Sequence, residues 1–157
     1  DDKPRQLKGD NLIFGMYVNE LISRLLHEQD PHHELFEMYK QFIGHLSATD
    51  ATSSHWLLRL FENNLLQELG YGIDLSSDIT GSEIELDAKY EYQHQSGFTR
   101  SVAGKISGKL INQLLADDIN DVPEAFQLKA CRDLNRLRLN PLLGNKPLQS
   151  RSLFFSK

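Results

Sequence analysis

The stretch that most limits how this chain can fold is Leu57 to Asp74, where a heavily apolar helix runs into two glycines. At about 100° per residue, Leu57, Leu58, Phe61, Leu65 and Leu69 share one broad side, and Leu66 extends it toward Arg59. A helix of this kind is buried around most of its girth. Gly70 stands where a left-handed C-terminal cap is wanted, and Gly72 lets the chain reverse beside Tyr71. What stays polar is a narrow strip on the far side, where Arg59 lies one turn from Glu62 and next to Leu66. That rim is the first candidate binding site.

The chain of 157 residues is long enough for one domain with a real core, without disulfides or metals. Its single cysteine, Cys131, cannot pair within the chain and lies in a helical pattern, which fits a reducing, cytoplasmic setting. No apolar run approaches the roughly 18 residues of a membrane span, and the start lacks a signal-peptide pattern. Residues 1–10 are polar and do not begin with methionine, so they read as a linker from a missing upstream domain, with residues 11–157 as the domain proper.

Within that domain, Leu12 to Leu26 predicts a helix covered on more than one side, with Glu20 and Arg24 as an ordinary surface pair. Asp30-Pro31 is a helix start by composition, and Leu35, Tyr39, Phe42 and Leu46 line one face of the helix that follows. The neighbouring His32 and His33 point about 100° apart and do not chelate together. Residues 47–54 read as a linker into the central helix. Ile84, Leu86, Ala88, Tyr90 and Tyr92 then alternate with charged residues, and a turn at Gln95-Ser96-Gly97 predicts a β-ribbon at about 83–103. The ribbon contains no cysteine, so zinc does not pin it.

Ser107 caps a short helix carrying Leu110, Ile111, Leu114 and Leu115. Pro123-Glu124 opens the last long helix and Asn140-Pro141 closes it. On its wheel Phe126, Ala130, Leu134 and Leu137 form the packing face, while Lys129, Arg132 and Arg136 form a cationic stripe. Residues 129–157 carry seven Lys or Arg against one acid, a balance of +6, which leaves −11 on residues 1–128 for a net charge of −5.

No nucleophile elbow, phosphate loop or metal-ligand pair is present, and His27, His45, His55 and His94 are scattered over different elements. The positive signal is binding. The cationic stripe, with Lys146 and Arg151 beyond it, suits phosphates contacted without reading bases.

Three segments in order, Met16 to Ile22, Leu58 to Gly72 and Asn140 to Arg151, resemble RecO, the bacterial recombination mediator. The resemblance spans residues 10 to 155 and is to the C-terminal region of the zinc-free, proteobacterial type. It implies an N-terminal OB-fold domain that this chain lacks, binding of single- and double-stranded DNA, strand annealing, and action with RecR in loading RecA. It also implies docking of the acidic, phenylalanine-ended tail of single-stranded DNA-binding protein. By resemblance Arg59 holds that tail, with Leu66 beside it as the apolar group that a phenylalanine end needs, and Lys129, Arg132 and Arg136 hold DNA, with Lys146 and Arg151 as the flanking cations read from the charge pattern; Arg138 falls off the stripe.

The expected protein is therefore a mainly helical bundle with a β-ribbon insert, cytoplasmic and associated with the nucleoid. It performs no bond chemistry and holds no cofactor. The alternative is a helical protein-interaction module with no direct DNA contact. A small hydrolase is a third reading, requiring a His and carboxylate brought together by folding.

Overall fold

The computed structural model describes residues 9–26 and 32–155. Among these the elements run α1 Asp10–Leu25, α2 His33–Ser47, α3 Ala51–Glu68, β1 Lys89–Gln93, β2 Gly97–Arg100, β3 Ile106–Ser107, α4 Gly108–Ala116, α5 Ala125–Leu143 and α6 Arg151–Phe155. The mainly helical architecture with a small ribbon is the expected one. The Asp30-Pro31 helix start lies outside the described residues.

α3 is the shared wall of two cores. Leu57, Leu58, Phe61, Leu65 and Leu66 meet α1, α2 and the end of α5, while Trp56 and Leu60 meet the ribbon, α4 and the start of α5. The helix begins inside the span expected to be linker, because Asp50 accepts the Ser53 N–H at 2.8 Å and so caps it. It ends as the glycines require. Gly70 adopts φ +91°, Tyr71 N–H reaches Leu66 O at 2.8 Å and Gly70 N–H reaches Gln67 O at 3.0 Å, a Schellman closure. The polar strip is not a rim, however. Arg59, Glu62 and Asn63 are all buried, since α5 covers them.

That covering changes the reading of α5. Its buried face is Gln127, Cys131, Leu134, Asn135, Arg138 and Leu139, whereas Phe126 and Leu137 are exposed. Of the expected apolar face only Leu134 and, in part, Ala130 pack, because α3 offers α5 polar partners as well. Asn135 Nδ2 donates to Arg59 O at 3.1 Å and to Glu62 Oε1 at 3.0 Å, and Arg138 Nη1 donates to Asn63 Oδ1 at 2.8 Å. Nor does Pro141 close the helix. It sits in the last turn, where its missing N–H removes one hydrogen bond, and the helix continues to Leu143 before Gly144 at φ +67°.

Glu20 and Arg24 are likewise not a surface pair. Glu20 accepts the N–H groups of Gln149 and Ser150 at 2.8 and 2.9 Å and the Ser150 hydroxyl at 2.7 Å. Arg24 donates to the carbonyls of Leu143, Lys146 and Pro147. Together they clamp the turn between α5 and α6 onto α1.

The ribbon starts later and runs further than alternation suggests. Ala88 N–H closes a turn on Glu85 O, Leu86 is exposed, and strand pairing begins at Lys89. A third strand, unforeseen, makes the order β2-β1-β3, all antiparallel. Two glycines allow it. A Cβ on Gly104 would lie 2.4 Å from Tyr90 O, and one on Gly108 1.8 Å from Glu85 O. Ser107 caps α4 as expected, its Oγ accepting Leu110 N–H at 3.0 Å, although Leu115 faces outward.

Candidate functional site

Four helices meet at one place, three of them bringing cationic residues and one aromatic rings. α1 supplies Phe14 and Tyr17, α3 supplies His55 and Arg59, α5 supplies Arg132 and Arg136, and α6 supplies Arg151; together they line a hollow of about 230 Å³. This is below the roughly 300–1,000 Å³ of pockets that enclose a whole small molecule, and is suited to the end of a chain.

Its depth is set by a buried network. Glu62, fully inaccessible, receives the Tyr17 hydroxyl at 2.5 Å, Arg59 Nε at 3.2 Å and Asn135 Nδ2 at 3.0 Å. Burial and the facing Glu62 push the Tyr17 phenol far above its ordinary value, so it stays a donor. Arg59 is thus anchored through Nε alone, and neither Nη finds a hydrogen-bond partner among the described residues. One guanidinium thus both pairs with Glu62 and lines the hollow.

The remaining arginines are poorly compensated. Arg132 bonds the exposed Asp133 beside it at 3.2 Å, a pair of small energetic weight. Arg151 donates Nη1 to Asn140 Oδ1 at 3.3 Å, while its buried Nε and Nη2 have no partner among the described residues. Burial, then Arg132, Arg151 and Arg59, lower the Arg136 pKa, the mark of cations crowded with too few anions. His55 stands with its ring edge-on to Phe14 at 4.9 Å, and burial, Arg59 and Arg132 lower its pKa. A hollow with an aromatic floor and four guanidiniums is built for a planar anion carrying an apolar group.

The residues assigned from sequence therefore divide. Arg59, Arg132, Arg136 and Arg151 converge. Leu66 does not join them: it is 0% exposed, inside the first core, so Phe14 and Tyr17 supply the apolar wall instead. Lys129 is exposed on α5 and lines a separate groove beside the ribbon. Lys146 is exposed in the clamped turn, outside the hollow. The aromatics Trp56, Tyr90 and Phe98 are core and offer no face to a base. Phe14, Tyr17 and His55 are not among the residues assigned from sequence, and only the position of Tyr17 within the Met16 to Ile22 segment signals any of them. Among the described residues no group of three or more His, Cys, Asp or Glu could hold a metal, and no helix is long and apolar enough to cross a membrane.

The family described as recombination protein O, C terminal, matches residues 6–137. Proteins called DNA repair protein RecO are similar along nearly all of the chain. The one from Pseudoalteromonas translucida is 38% identical over 151 residues, covering 96% of this chain and 64% of its own length. That of Psychromonas ingrahamii is 40% identical over 157 residues, with 96% and 65% covered. That of Yersinia pestis is 38% identical over 149 residues, with 94% and 61% covered. The chain thus spans somewhat under two thirds of the length of these relatives.

Proposed function

The chain belongs to the recombination protein O family, and on that premise we propose that it is the part of a DNA repair and recombination mediator that docks a protein tail. The observation that carries the reading is the four-arginine hollow. A terminal carboxylate next to a phenylalanine ring needs guanidinium forks beside an aromatic wall, and Arg59, Arg136 and Arg151 supply forks above Phe14 and Tyr17. The occupant is the acidic, phenylalanine-ended C-terminal tail of single-stranded DNA-binding protein, its upstream acids reaching Arg132.

In this reading the chain catalyses no bond chemistry. It acts at the nucleoid, brought to coated strands by the tail, and holds single- and double-stranded DNA through Lys129, Lys146 and the outer edges of Arg132 and Arg136. Annealing follows from proximity and charge neutralisation. With RecR it helps RecA replace the coating protein.

Fluorescence anisotropy of a labelled tail peptide tests the docking. Arg136 has no ion pair among the described residues, so Arg136→Ala removes a fork without orphaning a buried acid. The expected result is tenfold or greater loss of affinity, with the unfolding midpoint unchanged. Equal binding by both proteins would overturn the assignment.

A further inference from the structure

A second concavity, of about 540 Å³, lies between α5 and the ribbon and shares no residue with the arginine hollow. The β1–β3 register sets Lys89 opposite Ser107, so the two share a face of the ribbon. Lys105, two residues before Ser107, continues that face. The opposite face carries Tyr90 and Ile106 into the core. Gln127 ties α5 down over the lysine face: its Oε1 accepts the Ser107 N–H at 3.1 Å and the Ser107 hydroxyl at 2.8 Å, and its Nε2 donates to Lys105 O at 3.2 Å. One residue before Gln127 and two after it on the helix, Phe126 and Lys129 border the groove.

The result is three exposed lysines around an aromatic ring that is 64% exposed, with Leu86 beside it, also exposed. Two acids line the same groove. Asp133 is shared with Arg132, so two carboxylates, one of them shared, stand against three ammonium groups. No packing role keeps Phe126 in place, since α5 buries its neighbour Gln127 instead.

We infer that this groove is a path for single-stranded DNA, with phosphates on Lys89, Lys105 and Lys129 and an unpaired base stacked on Phe126. The inference rests on the reading of the chain as DNA-binding and adds where a strand lies. Lysine is a point charge suited to a phosphate chain of variable geometry, and an open aromatic ring accepts any base face. A duplex hides those faces, and an acidic peptide has none. The groove thus gives an unpaired strand a seat apart from the arginine hollow. One helix borders both, α5 giving Phe126 and Lys129 to the groove and Arg132 and Arg136 to the hollow.

The test uses the whole 157-residue chain and a labelled 20-nucleotide oligothymidylate, with affinity measured across a salt series. Phe126→Ala should weaken single-strand binding about 5- to 100-fold, as loss of one stacked base does, and leave a duplex of equal length within twofold. The triple variant Lys89→Gln, Lys105→Gln, Lys129→Gln should flatten the slope of log affinity against log salt by about 2, from about 0.7 for each phosphate on single strands. Both variants should bind the tail peptide as the parent does, which also shows that they fold. If the parent binds the oligonucleotide and neither variant changes that binding, the groove is not the path. If Phe126→Ala weakens duplex binding equally, or a polyglutamate peptide displaces the oligonucleotide at matched charge, stacking is excluded and the inference falls. If the parent binds no DNA at all, the underlying DNA reading falls with it.

Discussion

Arg59 commits its Nε to Glu62 and leaves the ends of its fork at the hollow, so its replacement has two effects that must be kept apart. Removing it strands a fully buried carboxylate, for which the expected cost is about 3–5 kcal/mol of stability. Arg59→Ala should therefore unfold at lower denaturant, and adding Glu62→Gln should restore part of the loss in the same chemical-denaturation experiment. Loss of tail binding in Arg59→Ala alone would say little about docking. His55 makes the opposite kind of contribution. Burial, Arg59 and Arg132 hold its pKa below the ordinary histidine value near 6.5, so the unfolded chain binds its proton more readily. Stability is complete above that pH and falls as pH drops below it. An anion in the hollow offsets the two guanidiniums and raises the His55 pKa. Tail affinity should then increase as pH falls from about 8 to 6, with proton uptake seen by calorimetry in buffers of different ionisation enthalpy. His55→Gln should flatten that dependence.

At the scale of elements, the site depends on a clamp that lies outside it. Burial disfavours the Glu20 charge, but hydrogen bonds from Ser150 and Gln149, with Arg24 nearby, outweigh it and lower the pKa. The contribution is therefore present above the ordinary glutamate range near pH 4.3 and lost as pH falls below it. Glu20→Ala should cost about 1–2 kcal/mol by removing three hydrogen bonds to a charged group. Because α6 carries Arg151, the same variant should weaken tail binding and speed amide exchange at residues 149–153, although Glu20 does not line the hollow. The sequence does carry this clamp, in Glu20 and Arg24 and in the Asn140 to Arg151 segment, but as two patterns with nothing to join them. Helical periodicity located α1, α2 and α3 because apolar burial dominates their spacing, while the Pro123-Glu124 start located α5. It failed on the face of α5 that packs through Gln127, Asn135 and Arg138, since a buried polar face has the sequence signature of a solvated one. It failed on β3 for a different reason, that a two-residue strand held by close glycine contacts has no period to detect.

In the whole molecule, an acidic body of −11 over residues 1–128 frames a C-terminal segment of +6. Folding does not leave that segment as a uniform basic stripe. α5 divides it, turning Arg132 and Arg136 toward Arg59 and Arg151 while Lys129 goes to the ribbon side. Composition concentrates positive charge at one end of the chain; the packing of α1, α3 and α6 around α5 divides it between two differently shaped concavities. Long-range attraction to any anion should weaken with salt, yet the hollow, with its buried forks and aromatic floor, should retain its ligand better than the open groove.

The measurement that bears most directly on the docking hollow is a titration of the isotope-labelled chain with the acidic, phenylalanine-ended peptide, followed by amide and side-chain NMR shifts. The account predicts saturable changes concentrated on Phe14, Tyr17, His55, Arg132, Arg136 and Arg151, including the guanidinium signals. Changes centred instead on the groove of Met38, His45 and Ile119 between α2 and α3, or none at all, would contradict it.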